Sequence, residues 1–216
     1  LDRLERTASA CKVEKSGAAV TVTVEREFAG TDKKAPIRFT EKITVGGDGT
    51  VRFDCAYDIA EALPTLPRVG VSFLTAPGFE ELEYFGRGPF ENYIDRNRAA
   101  FVGRYAATVA GNYVDYILPQ ENGNRTDVRE FSLTDGGARL EVKALDRFEF
   151  GVSHYTAADL FGAFHRKDLK ARPETVVTID RRQRGLGTGS CGPQTRPEYE
   201  VSGKNYTLSF CLRIKK

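Results

Sequence analysis

The sequence contains no methionine and no tryptophan, and it has only two histidines among its 216 residues. Without methionine, Leu1 is not a translation start, so we expect the chain to be a processed product or part of a longer protein. The lack of tryptophan removes a large aromatic ring suited to packing against a sugar, which weakens the hypothesis of a module that only binds glycans. The 9 tyrosines and 14 phenylalanines remain as substitutes.

Positive and negative charges are nearly balanced in this sequence. The chain carries 32 Lys and Arg against 30 Asp and Glu, for a net charge of +2, and its basic residues are spread along the sequence. This balance argues against nucleic acid as a partner. Long apolar runs are also missing. None approaches the roughly 20 residues that a membrane-spanning helix requires, so we expect no membrane partner.

Cysteine is scarce and widely spaced. No two of the four cysteines form a Cys-x-x-Cys pair, and two histidines do not complete a ligand set, so we predict no metal site in this chain. Free thiols are expected because a chain of this size buries enough surface to fold without disulfides. The cysteines are Cys11, Cys55, Cys191 and Cys211.

The most frequent pattern in the sequence is an alternation of apolar and polar residues. In residues 19–27, Val20, Val22 and Val24 fall on one face of an extended chain. Similar alternation or β-branched composition predicts further strands over 49–58, 68–73, 138–144, 147–153, 175–182 and 206–214.

Only two segments are candidates for helices. They are residues 93–105 and residues 156–169, the second with Thr156 as a plausible N-cap and Asp159 in the first turn. The whole pattern predicts an all-β fold, a mainly antiparallel β-sandwich with a few short helices. No repeat or convincing linker interrupts it, so we predict one domain over residues 1–216.

Four carboxylates near the middle of the chain are candidates for paired acid–base chemistry, namely Glu91, Asp95, Glu121 and Asp127. Their spacing does not select any two of them, and solvated loop carboxylates are the simpler interpretation. The pair Asn122-Gly123 is typical of a two-residue hairpin turn.

The glycine-rich segment 185–192 has the composition of a phosphate-binding loop. Such a loop opens into a helix, whereas Pro193 and Pro197 follow here, so a loop on a β-scaffold is favoured. His154 and His165 are candidates for proton transfer, although a structural role is the simpler interpretation. At this point the residues leave an enzyme, a binding module and a structural domain open.

Five segments, taken in order, resemble the C-terminal domain of the large β-galactosidases of glycoside hydrolase family 2. They are LPRVGVSF, GRGPFENYIDR, YILPQENGNRTDVREFSL, SHYTAADL with HRKDL, and GLGTGSCGP, and they cover roughly residues 66–193. The resemblance implies a large antiparallel β-supersandwich similar to galactose mutarotase. It also implies that the chain is the C-terminal part of a longer multi-domain enzyme, with the first strand of this domain lying before Leu1.

The activity that the resemblance implies is hydrolysis of terminal β-D-galactose, with retention, from lactose-like substrates. The catalytic glutamates of the family lie on a central barrel, and this chain has no barrel pattern, so no residue here is assigned a catalytic role and no cofactor is expected. Magnesium and sodium ions are expected on other domains of the parent. The expected partners are those domains and the galactoside, in a parent that forms a homo-oligomer.

The resemblance also assigns positions to individual residues. It places Gly189, Ser190 and Cys191 on a loop that reaches the mouth of the active site, with Cys191 where other members carry a tryptophan that stacks on the sugar. The remaining shared residues are expected to be architectural, with direct sugar contact as the alternative. They are Arg87, Glu91, Asn92, Tyr93, Asp95, Arg96, Glu121, Asn122, Arg125, His165 and Arg166.

Within GRGPFENYIDR, we expect Phe90 and Tyr93 to anchor the loop and its charged residues to satisfy one another and the backbone. Two other functions remain open. One is a stand-alone mutarotase-like aldose epimerase, which needs a carboxylate and a histidine on a concave face. The other is a non-catalytic carbohydrate-binding module.

Overall fold

A computed structural model describes residues 4–30, 35–189 and 191–216. Its strands and its one α-helix are, in chain order, β1 (Glu5–Ser16), β2 (Ala19–Ala29), β3 (Ile37–Val45), β4 (Val51–Ile59), β5 (Arg68–Leu74), β6 (Glu81–Gly88), β7 (Phe101–Thr108), β8 (Arg125–Thr134), β9 (Arg139–Ser153), α1 (Ala157–Gly162), β10 (Val176–Gln183) and β11 (Asn205–Lys215). Single turns of 3-10 helix lie at Ala110–Asn112, Arg166–Asp168 and Pro197–Tyr199.

The described strands form one hydrogen-bonded antiparallel sheet in the order β1-β2-β3-β4-β11-β9-β8-β6-β7. Strand β10 pairs with β9 and with β5, so this pair of strands branches off the main path. The predicted all-β antiparallel class with few short helices is confirmed. That the chain is a single domain stays a prediction.

Strand β9 makes the branch possible because it is long enough to carry two successive ladders along one edge, while β8 pairs with its other edge. Its first half pairs with β11, from Arg139 to Ala144, and its second half pairs with β10, from Glu149 to Ser153. The two strands expected over 138–144 and 147–153 are therefore one continuous strand. The switch occurs around Leu145, whose side chain is exposed between the two ladders.

The main core lies under this branch point. Aromatic residues fill it, and Phe131 stacks on Phe150 with ring centroids 4.6 Å apart, while Phe148 meets the Phe131 ring edge-on at 6.0 Å. A smaller cluster packs Ile59, Leu66 and Val201 together beside it. Buried aromatic rings carry much of the apolar area of such a core, so the branch strands are held firmly.

The helix prediction for residues 93–105 is wrong. Its first half consists of turns, and its second half is β7, which pairs with β6 along its length. Gly103, Tyr105 and Ala107 are the less exposed residues of β7, an alternation with a period of two that the helical interpretation overlooked.

The helix prediction for residues 156–169 is confirmed for its first part. Thr156 caps α1, accepting a hydrogen bond from the Asp159 backbone, and the Asp159 side chain accepts one from the Thr156 backbone. The helix ends at Gly162, and the remainder forms only a 3-10 turn at Arg166–Asp168.

The hairpin prediction for Asn122-Gly123 is also wrong. The strands before and after this pair, β7 and β8, both pair with β6 rather than with each other. Gly123 has a φ of +79°, and a Cβ there would lie 2.8 Å from the side-chain nitrogen of Asn112. The glycine therefore allows a close approach of the loop to Asn112 instead of a two-residue turn.

The cysteines of the described residues are free thiols, as predicted, with Cys55 buried and Cys11 and Cys191 exposed. Within the described ranges, no helix is long and apolar enough to cross a membrane.

Candidate functional site

Small residues create a groove on one face of the branch. Residues directly opposite each other on antiparallel strands point to the same face, and the register aligns Ser72 of β5 with Thr178 of β10, and Thr178 with Gly151 of β9. The neighbouring positions on this face include Gly70 and Ser153. Because these side chains are short, the face is depressed, and the resulting groove has a volume of about 560 Å³.

The walls of this groove come from two segments outside the sheet. Helix α1 and the residues before it contribute Tyr155 and Leu160 on one side. The loop that leads into β8 contributes Glu121 and Asn124. The groove therefore combines an apolar wall with a polar one above a floor of small residues.

A buried ion pair closes one end of the groove. The Asp180 side chain is almost inaccessible, and Arg68 grips it with two nitrogens, donating from Nε to Oδ1 at 3.1 Å and from Nη2 to Oδ2. Gly70 lies opposite Asp180, and a Cβ at Gly70 would collide with the carboxylate. Burial raises the pKa of Asp180 to about 6, and the Arg68 guanidinium acts against that shift.

Glu121 extends this ion pair into the loop. Its Oε1 accepts hydrogen bonds from Arg68 Nη1 and from the Gln183 side chain, the latter at 2.9 Å. One arginine is therefore shared by a buried and a half-exposed carboxylate.

Glu149 lies next along the same face and is only 6% exposed. Its carboxylate accepts hydrogen bonds from Asn124 Nδ2 at 3.0 Å and from the Gln183 backbone at 3.3 Å. Burial raises its pKa to about 7, while these two hydrogen bonds work in the opposite direction. No ion pair to Glu149 is found among the described residues, so its charged form is poorly compensated.

Asn92 joins the GRGPFENYIDR segment to this network and is fully buried. Its Nδ2 donates to the carbonyls of Arg87 and Phe90, and its Oδ1 accepts from both the backbone and the hydroxyl of Thr126. Asn124 returns a hydrogen bond to the Asn92 carbonyl at 3.0 Å. Asn92 thus connects the GRGPFENYIDR segment to the start of β8 through hydrogen bonds.

Glu91 and Arg96 satisfy each other, as expected. Arg96 Nη2 donates to Glu91 Oε1 at 2.5 Å. The Glu91 carboxylate also accepts hydrogen bonds from the Tyr116 hydroxyl and from the Gly123 backbone. The Arg96 guanidinium stacks over the ring of Tyr93, which is buried as predicted.

Two further arginines of the shared segments, Arg87 of GRGPFENYIDR and Arg125 of ENGNR, pair elsewhere. Arg87 does not pair with a charge of its own segment: it donates to Asp127 at 2.6 Å and to the Ala100 carbonyl at 2.9 Å. Arg125 is buried and donates to the Tyr84 hydroxyl and to the carbonyls of Gly123 and Pro89. The expected anchor Phe90 is half exposed, so its predicted role is wrong.

Asp95 ties the same segment to the glycine-rich loop. Its Oδ2 accepts from the Gly187 backbone at 2.8 Å, and the Thr195 hydroxyl lies 3.4 Å away. Gly189 and Cys191 are exposed beyond this anchor. Ser190 lies outside the described residues, and the placement of Gly189, Ser190 and Cys191 at the mouth of an active site stays a prediction.

The other polar residues of the shared segments lie around helix α1 and the loop that faces it. Asn122 Oδ1 accepts from the Val114 backbone at 2.9 Å, and Arg166 pairs with Asp115. His165 is exposed and lies 3.4 Å from Asp168.

His154 is held between Glu80, at 2.8 Å, and the Glu174 carbonyl, at 3.1 Å. Neither His154 nor His165 lines the groove.

Of the polar residues in and beside the groove, Glu121 and Asn122 were candidates from the sequence, but Arg68, Asp180 and the adjacent Glu149 were not predicted. Asp180 and Glu149 interrupt the apolar stretches VVTID and RFEF, and Arg68 opens RVGVSF. Burying a charged residue costs free energy unless the charge is paired. A charged residue within an otherwise apolar strand is therefore the sequence signal for such a pair. No group of three or more His, Cys, Asp or Glu side chains suited to a metal ion occurs within the described ranges.

Comparison with known proteins places these features in context. The family model of the beta galactosidase small chain matches residues 2–212. A beta-galactosidase of Halalkalibacterium halodurans is 33% identical over 99% of this chain and 21% of its own length. The corresponding enzyme of Actinobacillus pleuropneumoniae is 29% identical over 94% of this chain and 20% of its own length. The chain therefore spans about a fifth of the curated relatives that it matches.

Solved structures show a likeness of fold at low sequence identity. The galactosidase domain of the alpha-galactosidase–sucrose kinase AgaSK superposes with a TM-score of 0.52 at 8% identity, covering 98% of this chain and 28% of that one. An aldose epimerase homologue from C. elegans gives a TM-score of 0.48 at 10% identity, covering 95% of this chain and 68% of that one.

Proposed function

Because this chain belongs to the family of the beta galactosidase small chain, we propose that it is the C-terminal domain of a retaining β-galactosidase. In this role it supports the domain that holds the catalytic glutamates and contributes a loop to the mouth of the active site. The substrates are terminal β-D-galactosides of the lactose type. Any magnesium or sodium ions of the parent lie on its other domains.

The observation that carries this proposal is the engagement of the motif carboxylates. Each of the four candidates is held by an arginine or a loop amide. Glu91 binds Arg96, Asp95 binds Gly187, Glu121 binds Arg68 and Asp127 binds Arg87. Retaining hydrolysis needs two carboxyl groups about 5 Å apart with room for a sugar between them. Carboxylates occupied in this way support an architectural role and a catalytic pair on another domain.

Exposed apolar residues support docking against those other domains. Ile117 is 100% exposed, Phe161 is 94% exposed and Phe164 is 79% exposed. The two segments that carry them are joined, since Arg166 pairs with Asp115 and Tyr113 packs edge-on against Tyr155 at 5.3 Å. We call Ile117, Leu118, Phe161 and Phe164 the docking surface. Since four fifths of the relatives' length lies outside this chain, the remaining domains of the parent are the natural cover.

Removing an apolar side chain from the docking surface tests this arrangement. In the full-length enzyme, Ile117→Ser is expected to lower the unfolding free energy of the enzyme by roughly 1.5–3 kcal/mol, because a buried isoleucine loses its contacts. Ile214→Ser is the matched control, since Ile214 is also exposed but lies on β11. Urea unfolding of both variants gives the measurement. Equal, negligible effects of the two substitutions would place the interface elsewhere.

The glycine-rich loop provides a second test, on activity. If Cys191 lines the mouth of the active site, Cys191→Trp in the full-length enzyme restores the aromatic face expected of relatives. Stacking on the order of 1 kcal/mol is then expected to lower KM for a disaccharide by a factor of a few. Steady-state hydrolysis of lactose gives KM.

A labelling experiment shows whether the loop reaches the substrate at all. Cys11 is exposed as well, so labelling is done in a Cys11→Ser background. A bulky thiol reagent on Cys191 should then impair galactoside hydrolysis. Full activity after complete labelling contradicts the assignment of Gly189, Ser190 and Cys191 to the active-site mouth.

The epimerase alternative is not favoured by the geometry. An epimerase needs a histidine and a carboxylate that face the same bound sugar. His154 is enclosed by Glu80 and a carbonyl, His165 is on the surface, and neither lines the groove. Polarimetry of freshly dissolved α-galactose checks this alternative, and acceleration that His154→Ala abolishes would revive it.

A further inference from the structure

We propose that the groove floored by β5, β9 and β10 binds a neutral saccharide, a hexopyranose unit, on this chain itself. This inference goes beyond the proposed function, because it requires no contact between this chain and the catalytic domain. A volume of about 560 Å³ lies within the range of roughly 300–1,000 Å³ that is typical of small-molecule sites.

The first argument is an unsatisfied acceptor in the wall of the groove. Asn124 is 3% exposed, and its Nδ2 is fully used by the Asn92 carbonyl and by Glu149. Its Oδ1 has no hydrogen-bond partner among the described residues. A buried acceptor without a partner costs free energy, and because Oδ1 is itself buried, it makes this wall polar but meets a ligand donor only if the Asn124 side chain shifts.

The second argument concerns which donors fit. Glu121 lines the same groove and uses Oε1 for both Arg68 and Gln183, with no described hydrogen bond to Oε2. The hydroxyls of Ser72 and Thr178 lie on the floor. A ligand with several hydroxyl groups, each able to donate and accept, matches this set of acceptors and hydroxyls.

The third argument concerns charge. The only cation of the groove lining, Arg68, is already paired with Asp180 and Glu121 within the described structure. An anion such as phosphate therefore finds no free positive charge there. The opposite wall offers the ring of Tyr155 and the side chain of Leu160, which suit the C–H face of a pyranose. A neutral sugar is thus preferred over an anionic ligand.

Filling the floor of the groove tests the proposal. Ser72 is exposed at the centre of the floor, opposite Thr178, so Ser72→Phe occupies the groove without entering the core. Ser9→Phe is the matched control, because Ser9 is also exposed on a strand, β1, and does not line the groove. Both variants and the unmodified chain are titrated with galactose by saturation-transfer NMR, after circular dichroism has compared their folds.

We expect saturable binding of galactose with a millimolar dissociation constant, unchanged by Ser9→Phe and weakened at least about tenfold by Ser72→Phe. Glu121→Gln is expected to weaken binding several-fold, and it provides the same test if Ser72→Phe fails to fold. The site is overturned if galactose does not bind saturably, or if Ser72→Phe and Ser9→Phe bind galactose equally well. Tighter binding of putrescine than of galactose overturns the ligand class. The titration contains no hydrolysis step, so its failure and that of the proposed function are distinguishable.

Discussion

Replacing Arg68 by alanine is expected to lower the free energy of unfolding by roughly 3–5 kcal/mol, because it leaves the buried carboxylate of Asp180 without its counter-charge. The pair is bidentate, and Asp180 is 1% exposed. The loss also frees Glu121 from its shared partner, which loosens the loop before β8. Urea-induced unfolding followed by circular dichroism measures the change.

A matched control separates burial from charge. Arg38 also pairs with two carboxylates, those of Glu27 and Asp58, but its side chain is 63% exposed. Arg38→Ala is therefore expected to cost no more than about 1 kcal/mol. In a double-mutant cycle, Arg68→Ala combined with Asp180→Ala should cost less than the sum of the single changes. Equal effects of Arg68→Ala and Arg38→Ala would show that the buried pair is not the source of the stability.

The second large expected effect is that Glu149 makes the free energy of unfolding depend on pH. Its pKa is about 7 in the folded chain, against a usual value of 4.5, so the folded state binds more protons between these two values. The contribution of Glu149 to stability is therefore fully present below about pH 4.5 and is lost as pH rises through 7. For this buried group, the loss is on the order of 3 kcal/mol.

Glu149→Gln removes the titrating group and is expected to flatten this part of the stability curve. Burial also raises the pKa of Asp180 to about 6, and Asp180 repels Glu149, so the difference between variant and wild type reports Glu149 together with this repulsion. Glu141→Gln is the control, since a hydrogen bond from Lys215 lowers the pKa of Glu141 and its contribution is lost only as pH falls. Urea unfolding at pH values across the range from about 4 to 8 measures the slope. A slope unchanged by Glu149→Gln would contradict the assignment.

Sequence patterns predicted the strands whose alternation is clean. Strands β2, β4, β5 and β11 lie where the alternation of apolar residues placed them, and β10 lies where the β-branched composition of residues 175–182 placed it. Five other strands, β1, β3, β6, β7 and β8, were not predicted as strands. Glycines punctuate β6 and β7, while the β1 side chains are exposed throughout. A strand with little to bury leaves a weak pattern, because its stability comes from pairing with a neighbour.

The family resemblance, carried by segments such as GRGPFENYIDR and ENGNR, predicted a supporting role for these loops, and the hydrogen bonds of the described residues are consistent with that prediction. Asn92 is buried, and its side chain donates two hydrogen bonds and accepts two. Arg125 is buried and donates to carbonyls of two segments. The partners of the charges could not be assigned in advance. Arg87 pairs with Asp127, 40 residues away, because the strands β6 and β8 are neighbours in the sheet.

The sequence by itself determined the class of the fold and the membership of the family, and it predicted free thiols. These follow from local alternation, from composition and from short motifs, all of which are present in the unfolded chain. Only the tertiary structure decided the groove and its charges. Arg68 and Asp180 are 112 residues apart, and they meet because β10 pairs with β5 on one side and with β9 on the other. No local pattern contains that pairing, since it joins strands that are far apart in the sequence.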